Sequence, residues 1–224
     1  MKKYIFSRFE FSNSYKKELI GVVQNMCNLE IGGNKFYDGL GTHYMQNPKE
    51  IVELIFELKK HENKKKKSFS SFLEIGFASG INNSFINKFF KFKNLVAIDI
   101  VQALGINSQN FYSNLRFKNL SLICGDSTKS DIIKKADLLG PYDLIFIDGS
   151  HEYEGVKKDF NSYSKFLSKE GVIVLHDIKS NLISGVPKFW NELKKKEKKN
   201  WNFKEIFESG HQMECGIGIV FKKY

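Results

Sequence analysis

Asp148 and His151 stand three residues apart in YDLIFIDGSH, where an apolar run stops at a Gly149-Ser150 turn. An acid and an imidazole delivered together suit proton transfer, since an imidazole with a reference pKa of about 6.5 exchanges protons at neutral pH. Asp177 ends a second apolar run, VIVLHD. Two carboxylates at neighbouring strand ends repel unless a proton or a cation lies between them. Oxygen donors suit Mg²⁺, which keeps waters or substrate oxygens in its other positions. Asp148 and Asp177 are therefore candidate ligands of one divalent ion. A hydroxyl on that ion becomes more acidic, and His151 is the candidate general base that removes its proton. The plainer alternative stays open: Asp148 caps the helix that follows, and His151 and His176 are hydrogen-bonded structural residues.

A second constellation is Glu74-Ile75-Gly76-Phe77-Ala78-Ser79-Gly80, after the run SFLEIG. Glycines at such a turn let the backbone bend sharply and approach a ligand closely, with the amides of the next helix pointing at it. Asp99 ends the following run, NLVAID, 23 residues after Gly76. That is about where an acid accepts hydrogen bonds from ribose hydroxyls. Asp126 ends the next run, LSLICGD. Five acids gathered along one sheet edge in a chain of net charge +10 point to a bound ligand. Ordinary capping acids are the alternative for Glu74 and Asp99.

The elements that must position these groups alternate. Runs without polar interruption read as buried strands of a parallel sheet, which keeps its ligands at the carboxyl ends. Strands are expected at 72–76, 95–99, 120–125, 142–147 and 171–175, with helices near 80–90, 101–114, 130–139 and from about 151. The last of these buries Val156, Phe160, Tyr163 and Leu167. A further helix starts at Val186-Pro187, and 203–207 with 216–221 read as a terminal antiparallel pair. The expected fold is α/β: a doubly wound, mostly parallel seven-stranded sheet of Rossmann-like type with a C-terminal hairpin. Residues 70–224 form the catalytic unit, and residues 1–69 a helical and loop extension over the site. In that extension, 14–26 reads as one helix and 31–46 as irregular, being rich in turn residues. Asn47-Pro48-Lys49-Glu50 reads as a helix start with Asn as cap and Glu at the third position. Ile51, Leu54, Ile55 and Leu58 form one buried stripe to about Lys60, and HENKKKK is an exposed link.

A chain of 224 residues suits one α/β domain. No apolar run approaches the roughly 18–20 residues needed to span a bilayer, and MKKYIFSRFE lacks the apolar core of a signal peptide. Cys27, Cys124 and Cys215 give neither a disulfide framework nor zinc spacing, and Cys124 reads as a small apolar strand residue. The cytoplasm is the expected compartment. The basic excess is nearly all lysine, clustered at Lys64–Lys67 and Lys194–Lys199, with Arg8 and Arg116 the only arginines. Nucleic-acid sites usually mix arginine and aromatics with lysine, so a solvated surface is the simpler reading.

E-I-G-x-x-x-G, Asp99 and C-G-D-S (Cys124–Ser127) resemble the Class I S-adenosylmethionine-dependent methyltransferases over about 70–224. The resemblance implies that Gly76, Ala78, Ser79 and Gly80, after Glu74, lie against the methionine part of the cofactor. It implies that Asp99 takes the ribose hydroxyls, and that Asp126 with Ser127 frames the adenine. Ala78 stands where the family usually has glycine. IDGSHEYEGVKKDF, GVIVLHDI and Gln46-Asn47-Pro48 resemble a narrower group, the small-molecule and sugar O-methyltransferases related to macrolide-sugar methyltransferases and cephalosporin-hydroxylase-like proteins. Carried over, Asp148 and Asp177 are Mg²⁺ ligands, Asp148 borders the cofactor, and His151 is the base. His176 stands where such proteins often have an acid. The activity implied is metal-assisted O-methylation of a hydroxyl on a small molecule, sugar or glycan. His43 and Tyr44 precede the first long helix in a loop able to fold over the site, with a surface histidine the simpler reading, and His211 and Met213 stand in the terminal hairpin loop as candidates for the substrate side.

Other classes compete. Tyr153-x-x-x-Lys157 with the Gly76 loop resembles a short-chain dehydrogenase using NAD(P), but the pair comes one strand too early. An RNA methyltransferase fits the lysines, yet the Asn-Pro-Pro-Tyr-like element and the Pro-Cys pair are missing. A cofactor-binding protein without methyltransferase activity fits the glycine loop without needing His151. Acceptor identity and oligomeric state are not written in the sequence.

Overall fold

Ser12 opens the first well-formed helix by accepting a hydrogen bond from Tyr15 N at 3.2 Å. In the computed structural model, which describes residues 5–6, 8–26, 29–31, 34–36, 46–78, 80–100, 119–210 and 214–223, this is α1 (Asn13–Gln24). Its Tyr15, Leu19 and Val23 recur at helical spacing and are buried. A short antiparallel pair follows, β1 (Leu29–Ile31) with β2 (Asn34–Phe36), and its second strand falls inside the stretch expected to be irregular. Helix α2 (Pro48–Lys65) starts as expected, with Asn47 Oδ1 accepting from Lys49 N and Glu50 N. It runs a turn beyond Lys60, to Lys65, with Lys60–Glu57 and Lys59–Glu62 paired along its surface. His61, expected in an exposed link, instead stacks on Phe221 and meets Glu170 O at 2.9 Å.

The alternation then builds one sheet: β3 (Ser71–Ile75), α3 (Ile81–Phe90), β4 (Asn94–Asp99), β5 (Leu120–Cys124), α4 (Ser130–Asp137), β6 (Tyr142–Ile147), α5 (Tyr153–Tyr163), β7 (Leu167–Leu175), α6 (Gly185–Lys196), β8 (Trp201–Ile206) and β9 (Ile217–Lys222). The strand order is β5-β4-β3-β6-β7-β9-β8. Neighbours from β5 to β7 pair in parallel, and β9 runs antiparallel to both β7 and β8. This is the expected seven-stranded, mostly parallel α/β sheet. The expected helix at 101–114 lies outside the described residues.

Two corrections concern strands. Leu167, placed on the helix by its spacing, belongs to β7 and pairs with Tyr142. Helix α5 stops at Tyr163, and a short turn at Ser164–Phe166 leads into the strand. The polar Ser168-Lys169-Glu170, which follow the buried Leu167 and are not themselves buried, hide this strand start before the pairing shifts register between Tyr142 and Leu144. Cys124 is exposed because it ends β5, the edge strand of the sheet.

Both faces of the sheet are covered. On one, Phe72, Leu144, Phe146, Val172 and Val174 pack with Leu19 and Val23 of α1, Ile51 and Leu54 of α2 and Phe85 of α3. On the other, Leu73, Ile145, Ile147 and Ile173 pack with Ile132 of α4, Val156 and Phe160 of α5, and Trp190 of α6. The strand order reverses between β3 and β6, leaving a crevice at their carboxyl ends.

Candidate functional site

Gly76 stands at this reversal. Its φ is +88°, and a Cβ there would lie 2.0 Å from Asp148 O, so only glycine fits. Gly76 N donates to Ile98 O at 2.9 Å, and Asp148 N donates to Ile75 O at 2.8 Å. The ends of β4, β3 and β6 are thus stitched together through backbone. Gly80 also has positive φ, +71°, with the Phe77 ring where a side chain would go. Between them Ala78 takes φ +44°, and its amide donates to Asp99 Oδ2 at 2.8 Å. Asp99 therefore stands beside the glycine turn, holding its shape from the end of β4. Ser79 lies outside the described residues.

Glu74 lies beneath this loop, 1% exposed. Its Oε1 accepts from Asn82 Nδ2 at 2.7 Å, while Oε2 is buried without a partner. Burial pushes its pKa up to about 8; the hydrogen bond from Asn82 draws it down, and Asp148 and Asp99 add to the rise. At the end of β5, Asp126 Oδ1 accepts from Thr128 N at 2.8 Å and Thr128 Oγ1 at 2.7 Å. Those two bonds hold its carboxyl below the usual range. Ser127 O accepts from Tyr163 OH at 2.7 Å, and the buried Asp159 of α5 faces the Ser127 side chain. Asp159 is raised to about 6 by its burial, against the pull of that contact.

The second constellation assembles one strand away. β6 and β7 are parallel neighbours, with Ile147 opposite Leu175, so Asp148 and Asp177 emerge side by side. Asp177 has φ +61°, an uncommon state for a residue other than glycine and one that gathers at functional positions. This turn breaks the two-residue alternation of the strand, so His176 and Asp177 both reach the same cluster. His176 Nδ1 lies 3.3 Å from Asp148 Oδ1 and 3.4 Å from Asp177 Oδ1. His151 Nε2 lies 3.4 Å from Asp177 Oδ2. His176 is buried, whereas the His151 side chain is about half exposed. Burial works against a charge on His176, but the carboxylates of Asp148 and Asp177 outweigh it and raise its pKa well above the ordinary value. Asp177 is penalised by burial and nonetheless lowered, chiefly by His176 and then by His151.

Two further residues reach the cluster without having been read as part of it. Gln46 Nε2 donates to Asp148 Oδ2 at 3.5 Å, bringing the start of α2 to the crevice. Cys215 is buried beside Asp177, and burial pushes its thiol up to about 12. Glu50, read as a helix-start acid, turns instead to the C-terminal hairpin. Its Oε1 accepts from Glu208 N at 2.9 Å and its Oε2 from Gly216 N at 3.0 Å. Only the stretch Gln46-Asn47-Pro48 carried a sequence signal for any of these contacts. His43, Tyr44, His211 and Met213 lie outside the described residues.

The donor atoms of Asp148, His151 and Asp177 all lie within 4.8 Å of one another. The chemistry of that set, two carboxylates and an imidazole at the mouth of the crevice, fits a divalent ion.

Residues 73–178 match the family model described as a methyltransferase domain. That segment runs from β3 through the end of β7 and contains both constellations. The fold is that of a class I methyltransferase. Among curated proteins, "Uncharacterized protein R132" of Acanthamoeba polyphaga mimivirus is 33% identical over 112 residues, 48% of this chain and 51% of that one. The chain therefore spans about half the length of this relative. Among solved structures, the O-methyltransferase TomG from Streptomyces achromogenes, in complex with S-adenosylmethionine, superposes with a TM-score of 0.61 at 14% identity. It covers 93% of this chain and 99% of its own. The MycE methyltransferase of the mycinamycin biosynthetic pathway, in complex with Mg, S-adenosylhomocysteine and mycinamycin VI, superposes with a TM-score of 0.52 at 16% identity. That match covers 77% of this chain and 53% of MycE. Among the described residues no helix is long and apolar enough to cross a membrane.

Proposed function

We propose that this class I methyltransferase domain transfers a methyl group from S-adenosylmethionine to a hydroxyl of a small molecule, sugar or glycan, with a divalent ion assisting. The observation that carries the reading is the close approach of Gly76 to Asp148 O. It sets the glycine turn against the Asp148–His151–Asp177 cluster across a single crevice. A methyl donor bound by that turn lies beside a base and a cation site.

In this reading Gly76, Ala78 and Gly80, with Ser79, leave room for the methionine part of the donor. Asp99 receives the ribose hydroxyls, and Asp126 with Ser127 borders the adenine. Asp148 and Asp177 hold the ion, whose charge, when bound, makes a nearby hydroxyl more acidic. Asp177 Oδ2 faces His151 Nε2 and so favours the tautomer with its hydrogen there, leaving the lone pair on Nδ1. His151 Nδ1 takes the proton of the acceptor hydroxyl. The oxygen's electron pair forms the new O–C bond while the C–S bond breaks and its pair returns to sulfur, giving the methyl ether and S-adenosylhomocysteine. MycE, a methyltransferase solved with Mg, S-adenosylhomocysteine and mycinamycin VI, supports an assisting ion and a small-molecule acceptor.

The test is transfer of a deuterated methyl group to a panel of nucleotide-sugars and glycans, read by mass spectrometry, alongside calorimetry of S-adenosylmethionine binding. His151→Ala is expected to slow turnover about 10²–10⁴-fold while donor affinity is essentially retained. Unchanged turnover in that variant would remove His151 as the base. Absence of donor binding in the parent protein would remove the methyltransferase reading.

A further inference from the structure

We infer that the cation site of this chain is built for a zinc-class dication rather than for Mg²⁺, with His176 and Cys215 supplying nitrogen and sulfur donors behind Asp177. The inference rests on the proposed divalent ion and assigns its chemical class. A nitrogen of His176, a carboxylate oxygen of Asp177 and Sγ of Cys215 all lie within 4.8 Å of one another, and all three residues are buried. This inner triad shares Asp177 with the outer group Asp148–His151–Asp177. An ion on Asp177 thus has imidazole and thiol within reach on the protein side.

Two observations support the assignment. The first is donor chemistry: Mg²⁺ takes oxygen ligands, while imidazole and thiolate select zinc and its transition-metal neighbours. The second is satisfaction: His176 is buried and its Nε2 has no hydrogen-bond partner, unlike a structural histidine held on both sides. Asp177 holds its φ of +61° at the strand end from which His176 and Asp177 both reach the cluster.

The full chain, stripped of metal with a chelator, would be titrated with Co²⁺ and followed by absorption. The expected result is a thiolate-to-cobalt charge-transfer band beside the visible d–d bands. In Cys215→Ser the charge-transfer band is lost while the d–d bands remain. In a parallel calorimetric experiment, Zn²⁺ is expected to displace Mg²⁺ when both are supplied at equal concentration. A Co²⁺ spectrum without the charge-transfer band, or Mg²⁺ retained against Zn²⁺, overturns the inference and leaves an oxygen-held ion in place. If no ion binds, the inference and the assisting ion fall together. Retained S-adenosylmethionine binding in the same sample would then show that the methyltransferase reading itself survives.

Discussion

At the scale of single residues, two positions at the crevice are set by constraint more than by chemistry. Gly76→Ala places a carbon where Asp148 O already stands, at a positive φ that an L side chain resists. A loss of about 3 kcal/mol and of donor binding is expected, read by urea unfolding and by calorimetry. Normal binding in that variant would mean that the turn does not carry the donor. Glu74 makes a pH-dependent prediction. Folded, it keeps its proton until about pH 8; unfolded, it releases it at its ordinary value of 4.5. Between those values the folded chain binds more protons, so stability falls as pH rises, by an order of ~5 kcal/mol across the window. Asp159, raised to about 6, adds a smaller slope of the same sign at lower pH. Glu74→Gln should flatten the decline between pH 6 and 8, measured as urea midpoints. An equally steep decline in the variant would show that Glu74 is not its source.

At the scale of elements, Glu50 links the start of α2 to the loop between β8 and β9 through two backbone amides. Hydrogen bonds to a charged group contribute about 1.5–3 kcal/mol each, so Glu50→Ala is expected to cost roughly 3–5 kcal/mol. Hydrogen exchange at the amides of Glu208 and Gly216 should speed up first, ahead of the sheet. If those amides stay as protected as in the parent chain, the link is not what orders the hairpin. The sequence marked Glu50 only as a helix-start acid, because its partners lie 158 and 166 residues away. Likewise the lysines of α2 looked like a solvated linker. Lys65 pairs with Glu170 and Lys67 with Asp143, contacts with residues far along the chain. The central strands β3, β4 and β6 were more legible, because a strand buried on both faces is one unbroken apolar run. β7 was misread at its polar beginning for the same reason: Ser168, Lys169 and Glu170 are not buried.

At the scale of the whole molecule, α1 and α2 form one core with the sheet. Ile51, Val52, Leu54, Ile55 and Leu58 are all fully buried and lie in the cluster that includes Phe72, Leu144 and Val174. A chain beginning at residue 70 would expose that face, and contiguous apolar patches of such size lead to association. Such a truncation is expected to aggregate or to lose cooperative unfolding, checked by light scattering and calorimetry. A soluble, cooperatively folding product would make the N-terminal segment a dispensable cover. The lysine excess acts at this scale too. Lys194 with Glu205, and Lys196 with Glu192, pair locally on or beside α6, which favours a solvated surface over a track for a polyanion.

By itself the sequence determined the order of strands and helices, the glycine turn and the acids at the strand ends, because each depends on periodicity or turn chemistry within a few neighbours. Tertiary structure decided what those acids meet. Asp177 leaves its strand at positive φ and carries His176 with it into contact with Asp148, while Glu50 turns away from its own helix to the distant hairpin. Side-chain direction beyond the last strand residue follows the local backbone turn and the packing around it, and no two-residue period encodes it.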